Sequence, residues 1–302
     1  MKAGCDSRFI PGGERHGFDY QRDGAVCIRG AFKGWVDTIA AGIERNMQNR
    51  SATASDIANG RGSFFDDYCN WERIPEFVSV VRNSPAAELA AAVMQSRTAQ
   101  FFHDHVLVKE PGTQKPTPWH QDIPYYFVDG QQTVSFWIPI DPVKEATLRL
   151  IAGSHKWDKM ILPVRWLDDS NFYAGEGDYL PVPDPDTDAS MKVLEWEMEP
   201  GDAILFDFRT AHGARGNLTA ARRRALSLRW VGDDARYVER PGRTSPPYHG
   251  HGMQPGQKLR EDWFPVVYQA EFEPEYGRRV RRPYSAGDNV PVRNSDQSTL
   301  MS

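Results

Sequence analysis

The sequence predicts a mainly β protein, a sandwich or barrel with helices packed against its flank. Three observations point there. After about residue 100 short β-type runs follow in series, FFHDHVLVKE, TVSFWIPI, ATLRLIAG, KVLEWEM, DAILFDF and RALSLRWV, each closed by Pro, Gly or Asp. Gly (25) and Pro (22) are frequent enough in 302 residues to supply the turns that such a chain needs. Charged residues at 25% and nine Trp favour a folded core over disorder.

The elements before the strands read differently. Phe32, Trp35, Val36, Ile39, Ile43 and Met47 fall at helical spacing. Ser84-Pro85 followed by AAELAAAVM reads as an N-cap, a first-turn proline and a second helix. A single domain follows, with a helical part over about 1–99, a barrel core over about 100–235 and an extension over about 236–302. The stretch PVPDPDTDAS at 181–190 is an acidic loop, and RPGRTSPPYHGHGMQPGQ at 240–257 makes the extension loop-like. The last dozen residues, polar and without periodicity, are expected to fray.

Charge and cysteine usage exclude several classes. With 36 Lys+Arg against 41 Asp+Glu the net charge is −5, a poor basis for binding a phosphate backbone, so no nucleic-acid partner is expected. The basic run Arg278-Arg279-Val280-Arg281-Arg282 is expected to be a solvated tail. Cys5, Cys27 and Cys69 are odd in number and far apart, which rules out a disulfide framework and favours a reducing compartment. No signal-type stretch opens the chain and no run of about 18 apolar residues occurs, so a cytoplasmic protein without a membrane partner is expected. The oligomeric state is not legible.

Chemistry concentrates in TPWHQDIPYY, where His120 and Asp122 stand two apart. At a strand end that spacing puts an imidazole and a carboxylate on one face. A third ligand is available in GDAILFDFRTAHGARGN, where His212 follows an apolar strand. Two imidazoles and one carboxylate form the facial triad of non-haem Fe(II), with positions left for co-substrate and oxygen. An open three-ligand zinc site of hydrolytic type remains an alternative at this point. The strand ARRRALSLRW discriminates between them. Read with period two, Arg223, Ala225, Ser227 and Arg229 share one face while Leu226, Leu228 and Trp230 share the other. An interior guanidinium beside small residues suits an anionic co-substrate.

Together His120, Asp122, His212 and an arginine eleven residues after the second histidine resemble the phytanoyl-CoA dioxygenase family of Fe(II)/2-oxoglutarate-dependent oxygenases. VLVKEPG, FWIPID, the turn Gly153-Ser154-His155, and GD-x-ILF followed by HGA-x-x-N extend the resemblance over about residues 18–235. It implies a double-stranded β-helix, the jelly roll or cupin-like barrel, with N-terminal helices on one sheet and a C-terminal extension over the barrel. It also implies Fe(II) on His120, Asp122 and His212, and Arg223 as partner of the 2-oxoglutarate C5 carboxylate. Lys109 and Trp137 match co-substrate-lining positions, with bland readings as a surface charge and a core residue. Ala214 stands where the family's founding member has a serine. The reaction implied takes O2 and 2-oxoglutarate, releases succinate and CO2, and hydroxylates an unactivated C–H bond of a small or medium organic metabolite. His105, Tyr125 and Arg229 are the candidate substrate residues, and a polar organic acid is the expected substrate.

Two other readings compete. One is a cupin-like metal enzyme that does not use 2-oxoglutarate; the other is a jelly-roll binding protein for small molecules. Three further clusters imitate metal sites: His103, His105 and Glu110 at cupin-like spacing; Asp184, Asp186, Asp188 and Glu195 at EF-hand spacing without the glycine; and His249 with His251, placed near the substrate mouth.

Overall fold

The computed structural model describes residues 13–59, 62–166, 170–173, 177–273 and 278–281. The N-terminal part runs α1 (Gly13–Asp23), β1 (Ala25–Ile28), α2 (Val36–Gln48), β2 (Ser55–Asn59), β3 (Gly62–Tyr68), α3 (Pro75–Asn83) and α4 (Ala86–Met94). The helical spacing seen from Phe32 becomes α-helix only at Val36, after a 3-10 turn at Lys33–Trp35. Ser84 Oγ accepts the Ala86 N–H at 3.3 Å, while Pro85 stands at the cap of α4 and not within its first turn.

Three strands interrupt the expected helical third. β3 pairs with β4, β2 with β3, and β1 with β10. AVCI and SDIAN are too short to show a period of their own, and tertiary pairing determines them. Gly24 makes the turn into β1 at φ +78°, where a Cβ would lie 2.3 Å from the His155 ring.

The strands that follow are β4 (Thr98–Lys109), β5 (Thr117–His120), β6 (Val128–Asp129), β7 (Thr133–Pro139), β8 (Leu148–Ile151), β9 (Val193–Glu195), β10 (Ala203–Phe206), β11 (His212–Ala214), β12 (Arg223–Val231), β13 (Arg236–Tyr237), β14 (Val266–Glu273) and β15 (Arg278–Arg281). A large antiparallel sheet has the order β1-β10-β7-β12-β4-β14-β15, and a smaller one the order β5-β11-β8-β9. These two sheets are the jelly roll.

Alternation sorts the large sheet's side chains. Val106, Val108, Phe136, Ile138, Leu226, Leu228 and Trp230 pack with Ile43, Phe77, Val80 and Leu89 of the helices. From the opposite face Trp137, Ile204, Phe206 and Ala225 meet Leu148, Leu150 and Ala214 of the small sheet. Each fully buried large side chain contributes roughly 1.5–3 kcal/mol, so the helices hold the sheet flat-side outward and leave its inner face for chemistry. Ala214 lies within this apolar layer, so no side-chain hydroxyl is present at that position.

Two expectations about the C-terminal segment change. β14 joins the edge of β4, pairing Val266 with Gln100 and Gln269 with Thr98, so the extension completes the sheet. Arg278–Arg281 forms a strand paired with β14 and is not a free tail. Arg282 and the polar last dozen residues lie outside the described residues. Phe102, Phe127, Phe208 and Phe264 fill the space between barrel and extension.

Burial raises Asp104 to about 7, although its carboxylate accepts the N–H groups of Asn70 and Trp71 at 2.8 and 2.9 Å. The folded state therefore holds a proton that the unfolded chain releases near pH 4, and stability falls as pH rises from there through about 7. Asp207, raised to about 7 by burial, acts in the same direction. We expect Asp104→Asn, whose amide oxygen keeps both acceptor contacts, to flatten this slope, read from urea unfolding at pH 5 and pH 8.

Candidate active site

His120 closes β5 and His212 opens β11, and the register pairs them directly across the small sheet. Their Nδ1 atoms donate to the carbonyl oxygens of Pro118 (2.8 Å) and Thr210 (2.9 Å). A carbonyl only accepts, so each Nδ1 carries the proton and each Nε2 presents a lone pair. Both Nε2 atoms lie 3.8 Å from Asp122 Oδ1. The ligand atoms of the three buried residues all fall within 4.8 Å of one another.

Asp122 reaches that point by a route different from strand alternation. β5 ends at His120, and Asp122 is helical (φ −71°, ψ −38°) at the head of a 3-10 turn over Ile123–Tyr125. The turn swings the carboxylate back over the histidines. Ser135 Oγ on β7 donates to Asp122 Oδ2 at 2.6 Å, and Arg229 Nε on β12 stands 3.7 Å from the same oxygen. One carboxylate oxygen is tied to the large sheet, and the other is left beside the imidazoles.

The electrostatics match a cation site. Burial pushes His120 down to about 3 and lowers His212, so both rings are neutral near pH 7. Burial alone would raise Asp122, but the Arg229 charge and the Ser135 hydrogen bond oppose it, and the carboxyl lies well below its ordinary value. Two neutral nitrogen donors and one anionic oxygen are a ligand set for a divalent transition metal. Among the described residues this is the one such group.

The Gly153-Ser154-His155 turn positions His212 from behind. Ser154 Oγ donates to Ile151 O at 2.7 Å and accepts the Ala211 N–H at 2.8 Å. Thr210 Oγ1 donates to Gly24 O at 2.7 Å, tying the same approach to the α1–β1 turn.

Arg223 and Lys109 are cross-strand partners on β12 and β4. Both are buried, and among the described residues neither forms an ion pair with a carboxylate, Asp141 acting on Arg223 only from a distance. Lys109 Nζ donates to Arg215 O at 3.1 Å and sits 5.1 Å from the Phe64 ring centroid. Burial and the neighbouring guanidinium lower it to about 6. Arg223 lies 5.5 Å over Trp137 and donates to Ala146 O at 2.9 Å, while its Nε has no partner. Trp137 is at once part of the core and the shelf beneath that guanidinium. Arg222 and Arg224 face outward, to Glu110 and Asp141.

A cavity of ≈ 270 Å³ opens beside His120 and Asp122, and His105, Tyr125 and Arg229 all line it. Its wall also contains residues that the sequence did not single out, among them Asp66, Tyr68 and Trp166. Trp166 lies parallel to the His105 ring (6.2 Å, 20°) and edge-on to His120 (4.9 Å). Nothing in the sequence marks it, because it sits in an irregular segment far from any motif.

The imitation sites disperse. Glu110 pairs with Arg222, away from His103 and His105. Asp186 pairs with Arg149, and Asp188 caps Ser190. His251 packs on Phe127 and Tyr237 and accepts the Met253 N–H, so it belongs to the aromatic filling and does not line the cavity. Cys27 and Cys69 are free thiols, and no described helix is long and apolar enough to cross a membrane.

The phytanoyl-CoA dioxygenase profile matches residues 20–225, more than half of the sequence. The chain belongs to the phytanoyl-CoA dioxygenase family. A probable phytanoyl-CoA dioxygenase of Caenorhabditis elegans is 29% identical over 189 residues, 59% of this chain and 54% of that protein. The chain thus spans about half the length of the curated relative it matches. Among solved structures, the non-heme alpha ketoglutarate dependent epimerase SnoN superposes with TM-score 0.67 at 20% identity, over 84% of this chain and 98% of that one. EctD from S. alaskensis, solved with 2-oxoglutarate and 5-hydroxyectoine, gives 0.59 at 17% identity, over 81% and 84%. These likenesses establish a shared fold. Dioxygenases of the phytanoyl-CoA dioxygenase family use Fe(II), 2-oxoglutarate and O2.

Tyr125 fastens the cavity wall, since its hydroxyl donates to Val164 O at 2.8 Å and accepts the Val164 N–H at 2.9 Å. Tyr125→Phe leaves both buried backbone groups unpaired, and we expect a loss of roughly 1–3 kcal/mol in urea unfolding.

Proposed function

We propose that the chain is an Fe(II)- and 2-oxoglutarate-dependent dioxygenase that hydroxylates a C–H bond of a small or medium organic metabolite and releases succinate and CO2. The observation that carries the proposal is a buried His120–Asp122–His212 ligand set sharing a barrel with a buried Arg223–Lys109 pair that has no carboxylate in ion-pair contact. An α,ω-dicarboxylate is a suitable counter-charge for the buried Arg223 guanidinium and for the Lys109 amine once it holds a proton. Bound iron with 2-oxoglutarate and O2 supplies the oxidising power for the C–H bond.

The chain's own residues do the rest. His120, Asp122 and His212 would hold the metal through Nε2, Oδ1 and Nε2, each oriented by its backbone or Ser135 partner. Arg223, with one N–H unspent, and Lys109 would receive the far carboxylate of 2-oxoglutarate, with Trp137 beneath. The aromatic wall excludes water and positions the target carbon; no side chain is needed as a general acid or base. The free thiols accord with a cytoplasmic setting. Neither the 2-oxoglutarate-independent enzyme nor the binding protein calls for a buried cation pair.

Anaerobic addition of Fe(II) and then 2-oxoglutarate tests the reading through the visible charge-transfer absorption of the chelate. We expect the band in the native chain and at least about a tenfold higher 2-oxoglutarate requirement in Arg223→Ala, the scale of a lost charge-assisted contact. No band with Fe(II) bound would sink the proposal. Ser135→Ala should weaken Fe(II) binding about 10–100-fold by freeing Asp122, measured by competition with a chelator.

Lys109 gives a pH signature. At about 6 it is mostly neutral at pH 7.5, and a bound dianion raises it, so binding takes up a proton and 2-oxoglutarate affinity falls as pH rises above about 6. Calorimetry in buffers of different ionisation enthalpy should register this uptake, and Lys109→Met should abolish it.

A further inference from the structure

Two buried polar atoms beside the ligand set have no role in the proposed chemistry. His103 on β4 and Arg229 on β12 are cross-strand partners, and both line the cavity. His103 Nε2 and Arg229 Nη1 are buried without a hydrogen-bond partner. Unsatisfied groups of this kind are costly, and a binding wall that awaits a ligand is one reason for them.

The hydrogen-bond direction at His103 is fixed. Its Nδ1 lies 3.1 Å from Asp104 O, which can only accept, so Nδ1 holds the proton and Nε2 offers a lone pair. Burial, together with the Arg229 charge, keeps this ring neutral. His105, two residues along the same strand, lines the same cavity, and its Nε2 donates to Asp66 Oδ2 at 3.2 Å. Asp66 adds a carboxylate to this wall.

Against these acceptors stands one buried cation, and its charge is already engaged. Arg229 faces Asp122 Oδ2 at 3.7 Å and donates through Nε to Tyr126 Oη at 3.1 Å. A carboxylate entering here would set its lone pairs against those of His103 and Asp66. A hydroxyl fits, because it donates to an imidazole nitrogen and accepts from a guanidinium N–H at once. Tyr68, Trp166 and Phe172 supply flat apolar surface for a ring.

Taking the cavity as the oxygenase's substrate chamber, we infer that it binds a neutral hydroxylated ring compound, anchored by a hydroxyl that donates to His103 and accepts from Arg229. This departs from the organic acid that the sequence led us to expect. The hydroxyl places the ring beside His120 and Asp122, so a carbon near it is the one exposed to oxidation.

The test uses the full-length chain without added metal or 2-oxoglutarate, so its outcome is independent of the charge-transfer titration. Ligand-observed NMR titrations compare trans-1,2-cyclohexanediol, tetrahydropyran, which lacks a donor, and cyclohexanecarboxylate. We expect the diol to bind about fivefold or more tighter than either of the others, the scale of one or two hydrogen bonds. His103→Phe, which keeps an aromatic ring between Phe102 and Tyr126, should bring diol and ether within about twofold, again the scale of the lost hydrogen bond. Tighter carboxylate binding that persists in Arg223→Ala, equal binding of diol and ether to the native chain, or no saturable binding of any probe would overturn the inference. The native-chain comparison stands even if the variant fails to fold.

Discussion

A buried carboxylate, that of Asp122, is the constraint on which the rest depends. Taking an ionised carboxyl out of water costs several kcal/mol unless it is paired and hydrogen-bonded. Ser135 and Arg229 meet that cost, and they are register partners on β7 and β12 of the large sheet. The imidazoles facing its other oxygen come from β5 and β11 of the small sheet. The ligand set therefore exists only when the two sheets have closed on each other, so folding of the jelly roll and assembly of the site are one event. The helices contribute at a distance, by covering the outer face of β12 so that Arg223 and Arg229 must point inward.

A second tension lies along the same strand. Arg223 and Lys109 put two cations opposite each other in the interior, an arrangement held in part by the surrender of the lysine proton. Geometry is thus prepared before any anion arrives, and the charge needed to hold it is supplied on arrival. Preorganisation of this kind lowers the ordering cost of binding. Asp122 lies beside one end of β12 and the Arg223–Lys109 pair stands at the other, so the two ends of the barrel differ in polarity.

Much of this was legible in the sequence, for identifiable reasons. The inward set Arg223, Ala225, Ser227 and Arg229 follows from period two, because β12 is long and buried on both faces and so obeys alternation. Residues near His120 and His212 stood out because they cluster unusual types in a short span. Asp122 was located by the right residues and the wrong geometry: its neighbourhood turns helical immediately after β5, a change driven by Ile123-Pro124 that a strand rule does not anticipate. β1 and β3 escaped because their pairing partners, β10 and β4, lie far along the chain, and β2 because it is short and pairs only with β3. The cavity wall was hidden for a further reason. Asp66, Tyr68 and Trp166 act through where the chain folds back, and a tryptophan in an irregular segment looks like any other core residue until its neighbours are known.

That wall has an origin distinct from the ligand set. Trp166, Phe172, Ser245 and Pro246 come from connections outside the paired strands, whereas His120 and His212 close the small sheet and Asp122 is pinned by strand residues of the large one. Loops tolerate replacement far better than paired strands do. The chamber thus has two kinds of wall: His103, His105 and Arg229 belong to paired strands and are fixed with the sheet, whereas Trp166, Phe172, Ser245 and Pro246 stand in segments free to vary. Substitution in the loops reshapes one side of the chamber and leaves the strand-borne residues and the His120–Asp122–His212 set in place.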